Sequence, residues 1–259
     1  MQRGKTTSPG CSVTARALQV LEAFTPAHPV LRLAEISRHS GLPLSTAHRL
    51  VKQLTGWGAL ERDAEGNYRI GLRLWEIASL APRGLGLRET ALPYLSDLGQ
   101  ITRENVQLAV REDLSVVYVE RLAGSGAVQV LTRVGGRFAL TPTGVGLVLL
   151  AYAPADVQER ALALPLARHT ERTLRSPDRI RRVLAEVRRT GVAVSDRQVT
   201  MDAVSVAAPV HGPENNVVAA VSVVAHADSA NPHALAPLVQ VAARGISRSL
   251  GARLQSRVD

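Results

Sequence analysis

The chain places Ala47, Leu50, Val51 and Leu54 at positions i, i+3, i+4 and i+7. An α-helix gathers those positions into one stripe, and a stripe of that kind has to be buried against other apolar surface. The adjoining face carries Ser45, His48, Arg49 and Lys52 at the same spacing, and it holds hydrogen-bonding and cationic side chains with no acid. A helix that merely faces water mixes acids with cations, whereas a helix lying in a DNA major groove needs donors and positive charge. Taken alone, this segment predicts a small helical domain whose second helix face is either an ordinary solvated surface or a nucleic-acid face.

Its flanks complete the domain. Ser12 is placed to cap a helix with Ala17, Leu18, Leu21 and Phe24 on one face, ended by Pro26 and Pro29. A second short helix is expected from about Leu31 to His39, burying Leu33, Ala34 and Ile36, with Gly41 supplying the tight turn that follows. After the third helix, residues 59–62 and 67–70 flank the turn Asp63-Ala64-Glu65-Gly66 and read as a hairpin. Three helices and a hairpin make a winged helix-turn-helix over residues 12–71, behind a flexible tail at 1–11. The third helix would read bases, while Arg62 and Arg69 of the wing would reach phosphates or a minor groove.

The charge distribution agrees. Of the net +9, residues 1–75 hold 10 Lys and Arg against 5 acids, and residues 76–259 hold 21 against 17. Positive charge is densest where the nucleic-acid face is expected. The total is less telling, because 29 of the 31 cations are Arg, a bias that genome composition alone produces.

The segments SVTARALQVLEAF from Ser12, LAEISRHSGLPLSTAHRLVKQLTGWGALERD from Leu33, and YRIG over Tyr68 to Gly71 resemble the DNA-binding domain of the IclR family of bacterial transcriptional regulators. The resemblance runs without a gap over about 60 residues. It implies that Ser45, Thr46, His48 and Arg49 begin the recognition helix, which agrees with the face obtained from spacing.

Leu72 to Leu80 reads as a linker helix, assigned with its trailing breakers Pro82, Gly84 and Gly86 to residues 72–86; Leu74, Trp75, Ile77 and Ala78 are free to pack on a partner chain or the neighbouring domain. Residues 87–259 alternate strands and helices. Helices are expected at Arg88 to Thr102, after Thr141-Pro142, from Ser176-Pro177 to Gly191, and from Asn231-Pro232 onward with Leu235, Leu238, Val239, Ala242, Ile246 and Leu250 buried. Strands are expected at 106–110, 115–121, 128–132, 203–210 and 217–224. The simplest account is an α+β domain with a mostly antiparallel sheet.

GGRFALTPTGVGLVLLA from Gly135, HTERTL from His169, RRTGVAVSDRQ from Arg188 and AVSVAAPV from Ala203 resemble the effector-binding domain of the same family, a relative of the GAF and PAS sensory folds. The resemblance implies a small-molecule cleft lined by Leu140, Gly144, Asp202, Ser205 and Ser222. Alternation adds that Ala203, Ser205 and Ala207 share one face of their strand, where small side chains leave room for a ligand or let a helix come close. The chain departs from the family pattern at Thr141, Leu147, Arg197, Gln198 and Asp202, so its effector chemistry is its own.

The lone Cys11 supplies no internal disulfide and no multi-cysteine metal site, and fits a reducing cytoplasm. The N-terminus has no apolar block of the secretory kind. The longest uncharged stretches, residues 138–155 and 229–243, fall short of the roughly 20 apolar residues that span a bilayer, so no membrane association is expected. The seven His form no HExxH, and Ser125 between glycines lacks the context of a nucleophile elbow, so neither catalytic residues, metal ligands nor a cofactor are expected. The expectation is a cytoplasmic, homodimeric or homotetrameric repressor that binds a double-stranded operator and is controlled by a small molecule. The alternative is a ligand-independent DNA-binding protein whose C-terminal domain only oligomerises.

Overall fold

The structure is a computed structural model describing residues 12–81 and 84–253. The tail expected at 1–11 lies outside them. The chain divides between residues 82 and 83 into two compact units.

In the first unit, Ser12 accepts a hydrogen bond from the Ala15 amide at 3.1 Å and starts α1 (Val13–Glu22). Helix α2 (Leu33–Ser40) follows, and Gly41 at φ 72°, a left-handed conformation that suits a residue without Cβ, turns the chain into α3 (Leu44–Trp57). The core gathers Val20, Ile36, Leu50, Val51, Leu60 and Tyr68. Leu18 and Ala34, expected inside, are exposed, and Val20 and Ala23 are buried instead. The reason is geometric: α1 bears on both α2 and α3, which turns its inward stripe towards Val20. The hairpin forms as β2 (Leu60–Arg62) and β3 (Tyr68–Ile70), and a short strand that the sequence reading did not anticipate, β1 (Val30–Leu31), pairs with β3 to make a three-stranded wing.

Gly71 then brings the chain against the end of the recognition helix. Its amide donates to the Ala59 carbonyl at 2.8 Å, and a Cβ at position 71 would lie 2.2 Å from the Gly58 carbonyl oxygen. No other residue fits there without moving the backbone, which accounts for the Gly of YRIG. Helix α4 (Leu72–Ala78) is held to the wing by Glu61, whose carboxylate accepts from the Leu72 amide at 3.0 Å, and to α3 by Arg73, whose guanidinium lies 5.0 Å from the centre of the Trp57 ring.

In the second unit, a six-stranded antiparallel sheet runs in the order β6-β5-β4-β9-β8-β7, with β4 (Asn105–Glu112), β5 (Ser115–Leu122), β6 (Arg137–Ala139), β7 (Ala193–Asp196), β8 (Ala203–His211) and β9 (Val217–His226). Helices α5 (Leu85–Thr102) and α9 (Pro232–Ser249) cover one face through Leu95, Val206, Val221 and Ile246. Helices α6 (Gly144–Ala151), α7 (Ala155–Ala163) and α8 (Pro177–Thr190) cover the other through Leu147, Leu150, Ile180 and Leu184. The caps at Ser176-Pro177 and Asn231-Pro232 form as expected.

Three local expectations fail, the first two through identifiable side-chain hydrogen bonds. Residues 128–132 form no strand: the Val128 carbonyl is taken by the Asn105 side chain at 2.8 Å and Thr132 by the Gln107 side chain at 2.6 Å, so the segment crosses the sheet face instead of joining its edge. Thr141-Pro142 does not open α6; Thr143 does, accepting from the Gly146 amide at 3.1 Å, while the Pro142 carbonyl receives Ser195 Oγ at 2.7 Å. Strand β7 and helix α7 were not anticipated, and the stretch expected as one linker helix holds the whole of α4 and the beginning of α5.

Candidate nucleic-acid interface and ligand cavity

Helix α3 turns Ala47, Leu50 and Val51 inward and leaves Ser45, His48, Arg49 and Lys52 exposed, with Thr46 half-buried beside them. Among the described residues, no hydrogen bond or ion pair engages His48, Arg49 or Lys52, so their donors face solvent. Acids nearby are occupied: Glu35 accepts from the Arg32 amide at 2.8 Å, a bond that, with the Arg38 charge, holds its carboxyl below the usual range.

The wing turn is tied by side-chain hydrogen bonds. Asp63 accepts from the Asn67 side chain at 3.0 Å and the Asn67 amide at 2.7 Å, which lowers its pKa, and Arg32 Nε donates to Asn67 Oδ1 at 3.3 Å. The two wing arginines differ. The Arg62 guanidinium lies 5.6 Å from the Tyr68 ring centre, whereas Arg69 pairs with Glu61 across the strands at 2.9 Å. The Leu72 amide and Arg69 together hold the Glu61 carboxyl below its ordinary value.

The second unit contains a cavity of about 490 Å³, its open mouth included, between the sheet, the start of α6 and two connecting segments. Gln107, Tyr118, Ala203, Ser205 and Val224 form the floor; residues 129–132, Thr143 to Val145 and residues 198–200 form the walls. Every side chain lining it is uncharged. Tyr118 is buried, which, partly offset by a hydrogen bond with Thr143, pushes its phenol well above the usual range and keeps it neutral.

Of the five cleft residues expected, Gly144 and Ser205 line the cavity. Ser222 stands one pair along β9 from Val224, fully buried, its hydroxyl without a partner among the described residues. Leu140 is in the core and borders a separate hollow with Thr141, Pro142 and His169. Asp202 is exposed at a turn. Gln107, Thr132, Ser195 and Gln198 were missed. Alternation on β4 and β7 would have pointed to the first and third, but only the fold shows that their strands flank the same opening. Ser205 also does what the structural reading of small residues requires, since a Cβ on Gly144 would come 2.6 Å from its Oγ.

The departures from the family pattern separate by position. Leu147 is fully buried in the core, Arg197 pairs with Asp196 at 2.9 Å and Asp228 at 2.6 Å, and only Gln198 lines the cavity. Gln198 is also held in place, its Oε1 accepting from the Leu174 amide at 3.1 Å while its carbonyl accepts from Thr173 Oγ1 at 2.8 Å.

Two family models cover nearly the whole described chain: the IclR helix-turn-helix domain over residues 13–64 and the bacterial transcriptional regulator IclR C-terminal domain over residues 81–248. The chain belongs to the IclR family of bacterial transcriptional regulators. It is 30% identical to the HTH-type transcriptional regulator XynR of Escherichia coli over 91% of this chain and 96% of that one. It is also 30% identical to the glycerol operon regulatory protein of Streptomyces coelicolor over 92% and 95%. Among solved structures, an IclR homolog from Microbacterium hydrocarbonoxydans complexed with 4-hydroxybenzoate is 37% identical, with a TM-score of 0.88 over 92% of this chain and 99% of that one. The protein is thus a DNA-binding regulator of the IclR type, from a family that regulates transcription and does not catalyse reactions. No helix among the described residues is long and apolar enough to cross a membrane.

Proposed function

We propose that this IclR-family regulator is a repressor whose operator affinity is controlled by a small aromatic carboxylate bound in the cavity of the second unit. The observation that carries the reading is the cavity itself: a pure oligomerisation module has no use for an opening lined by hydrogen-bonding groups. Its chemistry suits a compact anion with an apolar body. Val130, Leu131 and Val145 offer apolar walls and Val224 an apolar floor, the amides at the start of α6 and the hydroxyl of Ser205 offer donors, and no carboxylate opposes a negative charge. Gln198, the departure from the family pattern that lines the cavity, adds a neutral amide and no negative charge. The relative that bound 4-hydroxybenzoate supplies a first compound to test.

At the DNA, Ser45, Thr46, His48 and Arg49 read base edges, Lys52 and Arg62 contact phosphate, and Arg69 does so if its partnership with Glu61 opens. Two or four chains assemble so that a pair of recognition helices meets the half-sites of a pseudo-palindromic operator. An effector shifts DNA affinity only by preferring one arrangement of the assembly.

The test is selection of genomic fragments by the purified protein at near-physiological salt, where non-specific phosphate contacts are weak, followed by titration of the enriched fragments with 4-hydroxybenzoate and related benzoates. Fragments sharing an inverted repeat, released by one of these compounds in the native protein and retained by the Ser205→Trp variant, are expected. Release from the variant as readily as from the native protein would defeat the assignment of the cavity.

A further inference from the structure

Strand β5 carries two consecutive charged residues that serve opposite faces of the sheet. The β4–β5 register pairs Gln107 with Arg121 and Leu108 with Glu120, then slips so that Ala109 meets Tyr118, leaving Val119 as an extra residue. Cross-strand partners share a face. Arg121 therefore lies with Gln107 on the cavity side, and Glu120 lies with Leu108 on the side covered by α5 and α9.

Each residue holds something on its own side. Glu120 is nearly fully buried and pairs with Arg88 on the first turn of α5 at 2.5 Å; its other oxygen accepts from the Arg121 backbone amide at 2.8 Å. Arg121 reaches the Thr132 carbonyl and Asn105 Oδ1, both at 3.4 Å, and its Nε is buried without a partner among the described residues. Thr132 ends the segment that walls the cavity, and that segment has no strand ladder to fix it: side chains of Asn105, Gln107 and Arg121 are its ties to the sheet.

We infer that Glu120 and Arg121 are positioning residues that couple the cavity wall at 128–132 to α5, the first helix of the effector unit after the division of the chain at 82/83. This inference rests on the proposed effector cavity and adds the route by which occupancy leaves it. The argument is one of unequal grip. The Arg88–Glu120 bond is short and its carboxylate is buried, with the Arg88 side chain still 39% exposed, so Glu120 sets the position of the β5 backbone at the bulge. The Arg121 contacts are long and leave a donor unmet, so a ligand that draws the wall inward, or fills the space beneath Thr132, has a better-bonded arrangement of the guanidinium to move to. Shifting Arg121 moves the peptide whose amide Glu120 holds, and Glu120 transmits the shift to Arg88. Spatial intermediacy alone does not establish coupling; the unsatisfied Nε and the bulge between two bonded faces are what distinguish this strand from its neighbours.

The experiment needs no effector. Amide hydrogen exchange is followed in the full-length protein and in Arg88→Gln, which breaks the pair on the α5 side without touching the wall. Exchange of the Gly135 and Gly136 amides, which close the wall segment by donating to the Tyr118 carbonyl at 2.8 Å and the Arg133 carbonyl at 2.9 Å, is expected to rise at least about twofold, the low end of what network residues transmit, with Arg88→Lys restoring part of the protection. Arg160→Gln, which removes an exposed pair with Asp113 elsewhere on the unit, is expected to leave the wall unchanged. Unaltered exchange at Gly135 and Gly136 in Arg88→Gln, or an equal rise in Arg160→Gln, would overturn the inference. A native protein whose DNA binding answers to no benzoate would defeat the proposed function and leave this coupling standing, so the two failures are distinguishable.

Discussion

Gly144→Ala is the most demanding test of the cavity geometry. Gly144 opens α6 directly above β8, and a methyl there would meet Ser205 Oγ at 2.6 Å, Ser205 Cβ at 3.2 Å and Ala207 Cβ at 3.4 Å. The first contact requires something to move, and overpacking a well-filled site costs about 1–3 kcal/mol. Ala in place of Gly in a helix returns roughly 0.5–1 kcal/mol. The expected net loss is about 1–2 kcal/mol. Ser205→Ala removes the 2.6 Å contact and leaves only the two at 3.2 and 3.4 Å, which a few tenths of an ångström relieve. The double variant is therefore expected to regain at least about 0.5 kcal/mol beyond additivity, as for residues in direct contact. Urea unfolding measures this with two probes. Both tryptophans, Trp57 and Trp75, belong to the first unit, so their emission follows that unit, while far-UV ellipticity follows both. The loss should appear in ellipticity and leave the tryptophan midpoint in place. A Gly144→Ala protein as stable as the native one, or additive effects in the double variant, would show that α6 does not sit on β8 as described.

Other expectations follow from single contacts. Arg49→Ala should weaken operator binding by about 1–3 kcal/mol if the side chain reads a base, with loss of discrimination at one position; equal loss on all sequences, measured by fluorescence anisotropy, would make it a phosphate contact instead. Gly71→Ala, which sets a methyl 2.2 Å from the Gly58 carbonyl, should lower the tryptophan-detected midpoint and spare the second unit; an unchanged midpoint would refute the close approach of chain and helix end. Half-burial holds His211 below its ordinary value, so its folded pKa is lower than its unfolded one. Its contribution to stability is then present above about pH 6.5 and is lost as pH falls through the folded pKa. His211→Gln should flatten that acid-side decline in urea midpoints, and an identical pH dependence would remove His211 as its source.

The two sites were legible in the sequence to different degrees, and the difference has a physical cause. The proposed DNA-binding face is a property of one helix. Once Ala47, Leu50, Val51 and Leu54 are inside, helical geometry leaves Ser45, His48, Arg49 and Lys52 no choice of direction, so local periodicity was sufficient. Even there, Leu18 and Ala34 were misplaced, because a helix packed against two others turns by an amount that its own pattern does not contain. The cavity is a property of several strands and the segments between them. Ser205 came from the family resemblance, with alternation on its own strand in support. Gln107 and Ser195 were not, because nothing local says that β4 and β7 border the same opening.

The missed wall at 128–132 carries the point furthest. Gln129-Val130-Leu131-Thr132 has the composition of a strand and was read as one, yet its hydrogen-bond partners are the side chains of Asn105, Gln107 and Arg121 on strands to which it is not joined in a ladder. Backbone groups must be satisfied somewhere, and here polar side chains on the floor compete with a sheet edge for them. A fully laddered strand resists being lifted, whereas a segment held by three side chains exchanges partners at modest cost. A β-like segment withheld from the sheet is thus the kind of wall that a ligand can move, and its irregularity, invisible to periodicity, is the property on which the proposed control depends.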